Sequence, residues 1–180
     1  MVRTGRKHRA TIQHRAGPPH NTTLCPITFE RGDPMSTRMK IAFGCHLLAT
    51  LIVAAFGVTY LFRPEFMPYH SVAVGMPWAD VAPSFRVLIL ALMRVIGGAC
   101  LAVVVLELIL LFVPFRQGVV WARWAIPAGG LVICAGALYG MLYVGLNTPA
   151  TPPWIAPVVA ALLLLAGLLL SLGQPKAIGA

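Results

Sequence analysis

Acidic side chains are almost missing from this sequence. Only five of the 180 residues are Asp or Glu, and charged residues of both signs make up 11%, against roughly 25% in an average soluble domain. A chain so poor in charge cannot cover a water-facing surface, which excludes the soluble-enzyme classes. Cysteine is sparse as well: Cys25, Cys45, Cys100 and Cys134 form no C-x-x-C and no Cys/His cluster at metal spacing, so neither a disulfide framework nor a zinc site is expected. Gly-rich phosphate loops, G-x-S-x-G and H-E-x-x-H are absent. No predicted span offers a second histidine to face His46, which leaves a bis-histidine haem without ligands. A repeat with broken helices, the mark of many transporters, is lacking too. No catalytic residue, metal ligand or cofactor is assigned.

What the sequence has instead is long apolar runs. The organising stretch is Val87 to Val113, in which only Arg94 and Glu107 are charged. About 20 apolar residues at ~1.5 Å rise cross a ~30 Å hydrocarbon core, so this stretch reads as a membrane span. Three more follow the same rule: Ile41–Phe62, Trp124–Val144 and Trp154–Leu172. The first is too long for the ~7–15-residue core of a signal peptide and reads as an uncleaved anchor. The predicted fold is an all-α, integral membrane four-helix bundle over residues 39–175. A disordered basic tail, 1–38, precedes it and a short tail, 176–180, ends the chain. The first half of the basic tail is Arg-rich like a transit peptide, but Gly17-Pro18-Pro19 breaks any amphipathic helix there. Translation from Met35 or Met39 is the competing reading of that segment.

The longest connection, 63–85, contains Pro64, Pro68, Pro77 and Pro83, which forbid one long helix. Its apolar and aromatic content predicts a segment folded over the bundle mouth or lying at the interface, with a short helix near Pro77–Val81. A loop of this length is more often functional than a tight turn.

The net charge of +9 is a topology signal rather than a nucleic-acid signal, because of where the charges sit. With the N-terminus inside, eleven Lys and Arg fall on the cytoplasmic side and only Arg63 and Arg86 on the other. This predicts a multi-pass protein of the cell inner (plasma) membrane with both termini cytoplasmic.

Between helices in lipid, small residues permit close approach. The third span carries Gly129, Gly136 and Gly140, the second Gly97, Gly98 and Ala99, and the fourth Ala156, Ala160, Gly167 and Ser171. Internal packing is the favoured use of these stripes; a homodimer contact through Gly136-x-x-x-Gly140 is the other.

Charges inside a span are costly and should face protein or water. Arg94 and Glu107 cannot neutralise each other, since thirteen positions set them ~20 Å apart and ~140° round the helix. Glu107 and His46 lie at similar depth, ~8–9 Å inside the inner boundary, and are predicted to form a hydrogen-bonded intramembrane pair. That pair either ties two helices together or handles protons. Arg94 lies in the outer half, where Tyr60, Tyr139 and Tyr143, with Glu65 or Asp80 from the loop, are its candidate partners. Such a group would hold an anionic head group or small carboxylate, or lock the loop in place.

The segment Ala91-Leu92-Met93-Arg94-Val95-Ile96-Gly97-Gly98, after a loop containing Phe66-Met67-Pro68, resembles small four-span bacterial membrane proteins of the DoxX-like kind and relatives carrying domain-of-unknown-function labels. Over residues 40–175 the resemblance implies a four-helix inner-membrane fold and no particular activity. His46 and Glu107 have no counterpart in that pattern.

Two function classes follow. In the first, preferred, the protein is non-catalytic and binds a lipid, a quinone or a partner membrane protein through its outer loop and Arg94. In the second it belongs to a transport or redox system, with His46 and Glu107 handling protons in an oligomer. The partners expected are the lipid bilayer and either a membrane protein or further copies of the chain, not nucleic acid.

Overall fold

A computed structural model of the chain describes residues 35–173. Among them are four helices long and apolar enough to cross a membrane. The chain is an all-α, multi-pass membrane protein, and many large apolar side chains (Leu48, Val95, Val132, Leu169) stand exposed around the bundle, as lipid-facing positions must.

Helix α1, Thr37–Phe62, begins earlier than the predicted span because Ser36 caps it, its hydroxyl accepting from the Met39 N–H at 3.4 Å. Of the predicted tail 1–38, only 35–38 lies within the described residues, and Thr37 and Arg38 are already helical there. The rest of that tail, and 176–180, fall outside the described residues. Two short elements follow in the loop. Helix α2, Pro68–Val74, starts on a proline, which tolerates the first helical turn, and ends at Gly75 with φ 74°, where a glycine is needed. A 3-10 turn, Trp78–Asp80, replaces the short helix expected near Pro77–Val81.

Helix α3, Pro83–Leu110, likewise starts on a proline and absorbs Arg86, which the sequence reading left outside the span. It runs on through a π-helical turn, Leu111–Phe115. Pro114 has no N–H to continue the α ladder, and a widened turn accommodates its ring. Helix α4 is Ala122–Asn147 and α5 is Ile155–Leu172.

The spans run up and down, so one bundle end carries the start of α1, the π turn, the start of α4 and the finish of α5. We call it the terminal end, and the opposite one the loop end. In space the order is α3–α1–α5–α4: α1 packs against α3 and α5, and α4 against α5. The terminal end is tightly closed by Met39, Ala42, Leu111, Phe115, Ala122 and Ile126. Two arginines finish it: Arg38 Nη1 donates to Gly173 O at 3.1 Å and Arg123 Nη1 to Ser171 O at 3.0 Å. Both place positive charge on carbonyls that the C-terminus of α5 leaves unpaired. Helices α3 and α4 touch only sparingly, and toward the loop end they leave a gap.

Glycines set the closest approaches. A Cβ on Gly97 would stand 2.6 Å from Leu61 N and 2.7 Å from Gly57 O, so α3 rests on the backbone of α1 at this point. Gly130 and Gly167 make room for side chains instead. Gly136 and Gly140, expected to pack internally, meet nothing within 4 Å.

Candidate functional site

The gap between α3 and α4 leads into a cavity of about 580 Å³ bounded by all four spans and α2. Leu92, Ile96 and Ala99 on α3 and Val132, Gly136 and Gly140 on α4 line it and are also exposed at the bundle surface. The cavity therefore opens sideways, where the hydrocarbon core of a bilayer would be. No Asp, Glu, Lys or Arg lines it. Its floor comes from Cys100, Cys134 and Ala160, and its polar groups gather at the loop end.

That end is built by the loop. Phe66 and Val81 are buried against Tyr60 and Met93, which docks α2 over the bundle as the apolar content of the segment predicted. Tyr60 stacks on Phe56 at 4.2 Å, and its hydroxyl meets that of Tyr69 at 2.5 Å. His70 packs edge-on against Tyr69 at 4.2 Å, and its Nδ1 accepts from the Met67 N–H at 3.3 Å. Because Nδ1 accepts, the neutral ring carries its proton on Nε2. Burial lowers the pKa of His70 below the ordinary histidine value, which keeps the ring neutral. Burial also raises the Tyr69 phenol, against the pull of its bond with Tyr60. Arg86 fastens the end of the loop: it donates to Val81 O at 2.7 Å and Ala79 O at 2.5 Å, and lies 5.7 Å from the Trp78 ring centre.

A second polar group lies deeper, toward the terminal end. His46, Thr50 and Glu107 are all fully or nearly fully buried. Thr50 Oγ1 is 2.9 Å from the His46 carbonyl and 2.9 Å from Glu107 Oε2. A single hydroxyl proton cannot serve both acceptors at full strength. The predicted His46–Glu107 hydrogen bond is absent: neither ring nitrogen of His46 has a partner among the described residues, and Glu107 Oε1 has none either. The reason is direction. The imidazole turns toward α5, where a Cβ on Gly167 would come within 2.8 Å of it, and stands edge-on to Phe115 at 5.5 Å. The carboxylate turns toward α4, where Gly130 leaves it space. Thr50 is the actual link between the two, one helical turn beyond His46 on the same face of α1.

The Arg94 group is not assembled. Arg94 is exposed and makes no hydrogen bond or ion pair among the described residues. Two positions of ~100° set it ~160° round α3 from Ile96 on the cavity wall. Tyr60 is buried beneath α2, whereas Tyr139 and Tyr143 are 73% and 63% exposed. Glu65 pairs at 3.6 Å with Arg63 instead. The sequence reading missed Tyr69, His70 and Thr50. Each carried a local signal: Tyr69 and His70 as an aromatic–polar pair directly after a helix-starting proline, Thr50 as a hydroxyl at i+4 from an intramembrane histidine. Among the described residues, no cluster of His, Cys, Asp and Glu could hold a metal ion. No family model matches the chain, and neither does any curated protein or solved structure.

Proposed function

We propose that this protein is a non-catalytic binding protein of the bilayer that holds an apolar, lipid-class molecule in the cavity between α3 and α4. The observation that carries this reading is the lateral opening of a 580 Å³ apolar space, within the ~300–1,000 Å³ typical of small-molecule sites. Left empty, a space of this size would deprive its lining of packing contacts, and an apolar occupant from the surrounding lipid restores them. Arg94, on the far face of α3, has no part in this site. The test is native mass spectrometry of protein extracted gently from its own membrane. A defined adduct on the wild type, lost in Gly136→Leu with the fold intact, supports the reading; only heterogeneous lipid on both contradicts it.

The charge count supports a cell inner membrane with both termini cytoplasmic, and the Arg94–Gly98 segment supports kinship with DoxX-like proteins. Reporter fusions at the termini and at 148–153 test the first. The proton-handling reading keeps one supporting observation, the unpartnered buried atoms of His46 and Glu107. Proton flux through the purified protein in liposomes, abolished by Glu107→Gln, would establish it over the binding role.

A further inference from the structure

We propose that the head of the bound molecule is an uncharged carbonyl oxygen, received by His70 Nε2–H and by the hydroxyl proton that the Tyr60–Tyr69 pair leaves free. This rests on the cavity reading above and adds the chemistry of the ligand to it.

Two tyrosine hydroxyls carry two protons, and their mutual contact at 2.5 Å uses one; among the described residues no other acceptor takes the second. On His70, Nδ1 is occupied by the Met67 N–H, so the proton sits on Nε2, which has no partner among the described residues. All three side chains line the cavity. The closed end therefore offers two neutral donors within an otherwise apolar enclosure. A ligand oxygen that accepts there completes both.

Charge decides the rest. A carboxylate or phosphate brought into this space would meet no Lys or Arg, since none lines it and Arg94 faces the opposite way. An unpaired buried anion costs several kcal/mol even after relaxation, and two neutral hydrogen bonds do not offset that. A carbonyl needs no counter-charge and accepts two bonds. The geometry thus selects a neutral carbonyl head over an anionic one of the same chain length, the reverse of what Arg94 suggested in the sequence.

The experiment uses the full chain in phosphatidylcholine nanodiscs, with a sixteen-carbon alkane bearing a diazirine as the cavity label. Methyl palmitate and palmitate compete at equal mole fraction in the bilayer, at a pH where palmitate is ionised. The ester is expected to displace the label at a concentration at least about tenfold lower than the acid. His70→Phe, which keeps a ring against Phe66 and Tyr69, should raise the ester concentration needed for displacement by about threefold to tenfold, and His70→Gln, which retains a donor, should restore part of that affinity. Equal competition by acid and ester, or displacement by neither, overturns the carbonyl assignment while the cavity reading stands. A label that never marks Met93 or Met141 above the lipid-facing surface sinks the cavity reading itself. The wild-type comparison holds whether or not either variant folds.

Discussion

Thr50 of α1 and Glu107 of α3 share, among the described residues, the one side chain–side chain hydrogen bond that joins two spans, at 2.9 Å. Interhelical bonds of this kind contribute about 0.6 kcal/mol on average and up to about 1.7. Thr50→Val, which keeps the shape and removes the hydroxyl, should therefore destabilise the bundle by about 1 kcal/mol in reversible unfolding. Combined with Glu107→Met, which removes the acceptor, in a double-mutant cycle, the two costs should not add; strict additivity would show that the two side chains do not interact.

The neighbouring glycines Gly97 and Gly98 should respond in opposite ways to the same methyl group. At Gly97 the obstacles are the α1 backbone atoms Leu61 N and Gly57 O, at 2.6 and 2.7 Å, whereas at Gly98 nothing lies within 4 Å. Backbone cannot step aside as a side chain can. Gly97→Ala should cost about 3 kcal/mol, the upper end for overpacking. Gly98→Ala should be neutral or stabilising by up to about 1 kcal/mol, through helix propensity. Equal effects in an unfolding titration would refute the close contact of α1 with α3.

Gly167 and His46 form a small-to-large fit between α5 and α1. A Cβ on Gly167 would meet the imidazole at 2.8 Å, so Gly167→Ala should destabilise by about 1–3 kcal/mol. In a His46→Ala background that penalty should largely vanish, because the ring it strikes is gone. A penalty that persists unchanged there would place the His46 ring elsewhere.

His70 makes the roof of the cavity sensitive to acid. Burial depresses its folded-state pKa below the ~6.5 of an unfolded chain. Between those two values the unfolded state binds more protons, so stability is present above pH ~6.5 and falls as the pH drops toward the folded value. Protonation also puts a hydrogen on Nδ1, which can then no longer accept from the Met67 N–H. Burial keeps the phenol of Tyr69, whose ring meets His70, above the ordinary tyrosine value and so protonated throughout this window. Protection factors of the amides across 67–75, after correction for the intrinsic slowing of exchange in acid, should fall on acidification from pH 7 to 5, and His70→Gln should flatten the response. A flat wild-type profile would contradict the buried, neutral ring.

How much of this could be read in the sequence depends on direction as opposed to depth. The spans were legible because about 20 apolar residues have one use, and the folding of 63–85 onto the bundle because Phe66 and Val81 have nowhere else to be buried. Helix ends were less so: Ser36 and Pro83 extend α1 and α3 through local capping that a hydropathy reading does not weigh. Residue counting gives height along a helix but not the face a neighbour takes. Counting sets His46 and Glu107 at one depth, yet the His46 ring meets Phe115 and Gly167 while the Glu107 carboxyl meets Thr50 and Gly130. Arg94 sits at the height of the cavity, but the seat of Gly97 on α1 turns α3 so that Arg94 faces outward. Gly136 and Gly140 look like a packing stripe, and they instead border an opening.

The lateral cavity is the central claim, and photolabelling in bilayers tests it most directly. A diazirine-bearing alkyl chain dissolved in liposomes should label Met93 and Met141, which are buried from the bundle surface yet line the cavity. That labelling should fall in Gly136→Leu while labelling of Val95, on the outer face of α3, is unchanged. Label confined to outward residues such as Val95 and Leu146, with Met93 and Met141 untouched in the wild type, would contradict an opening between α3 and α4.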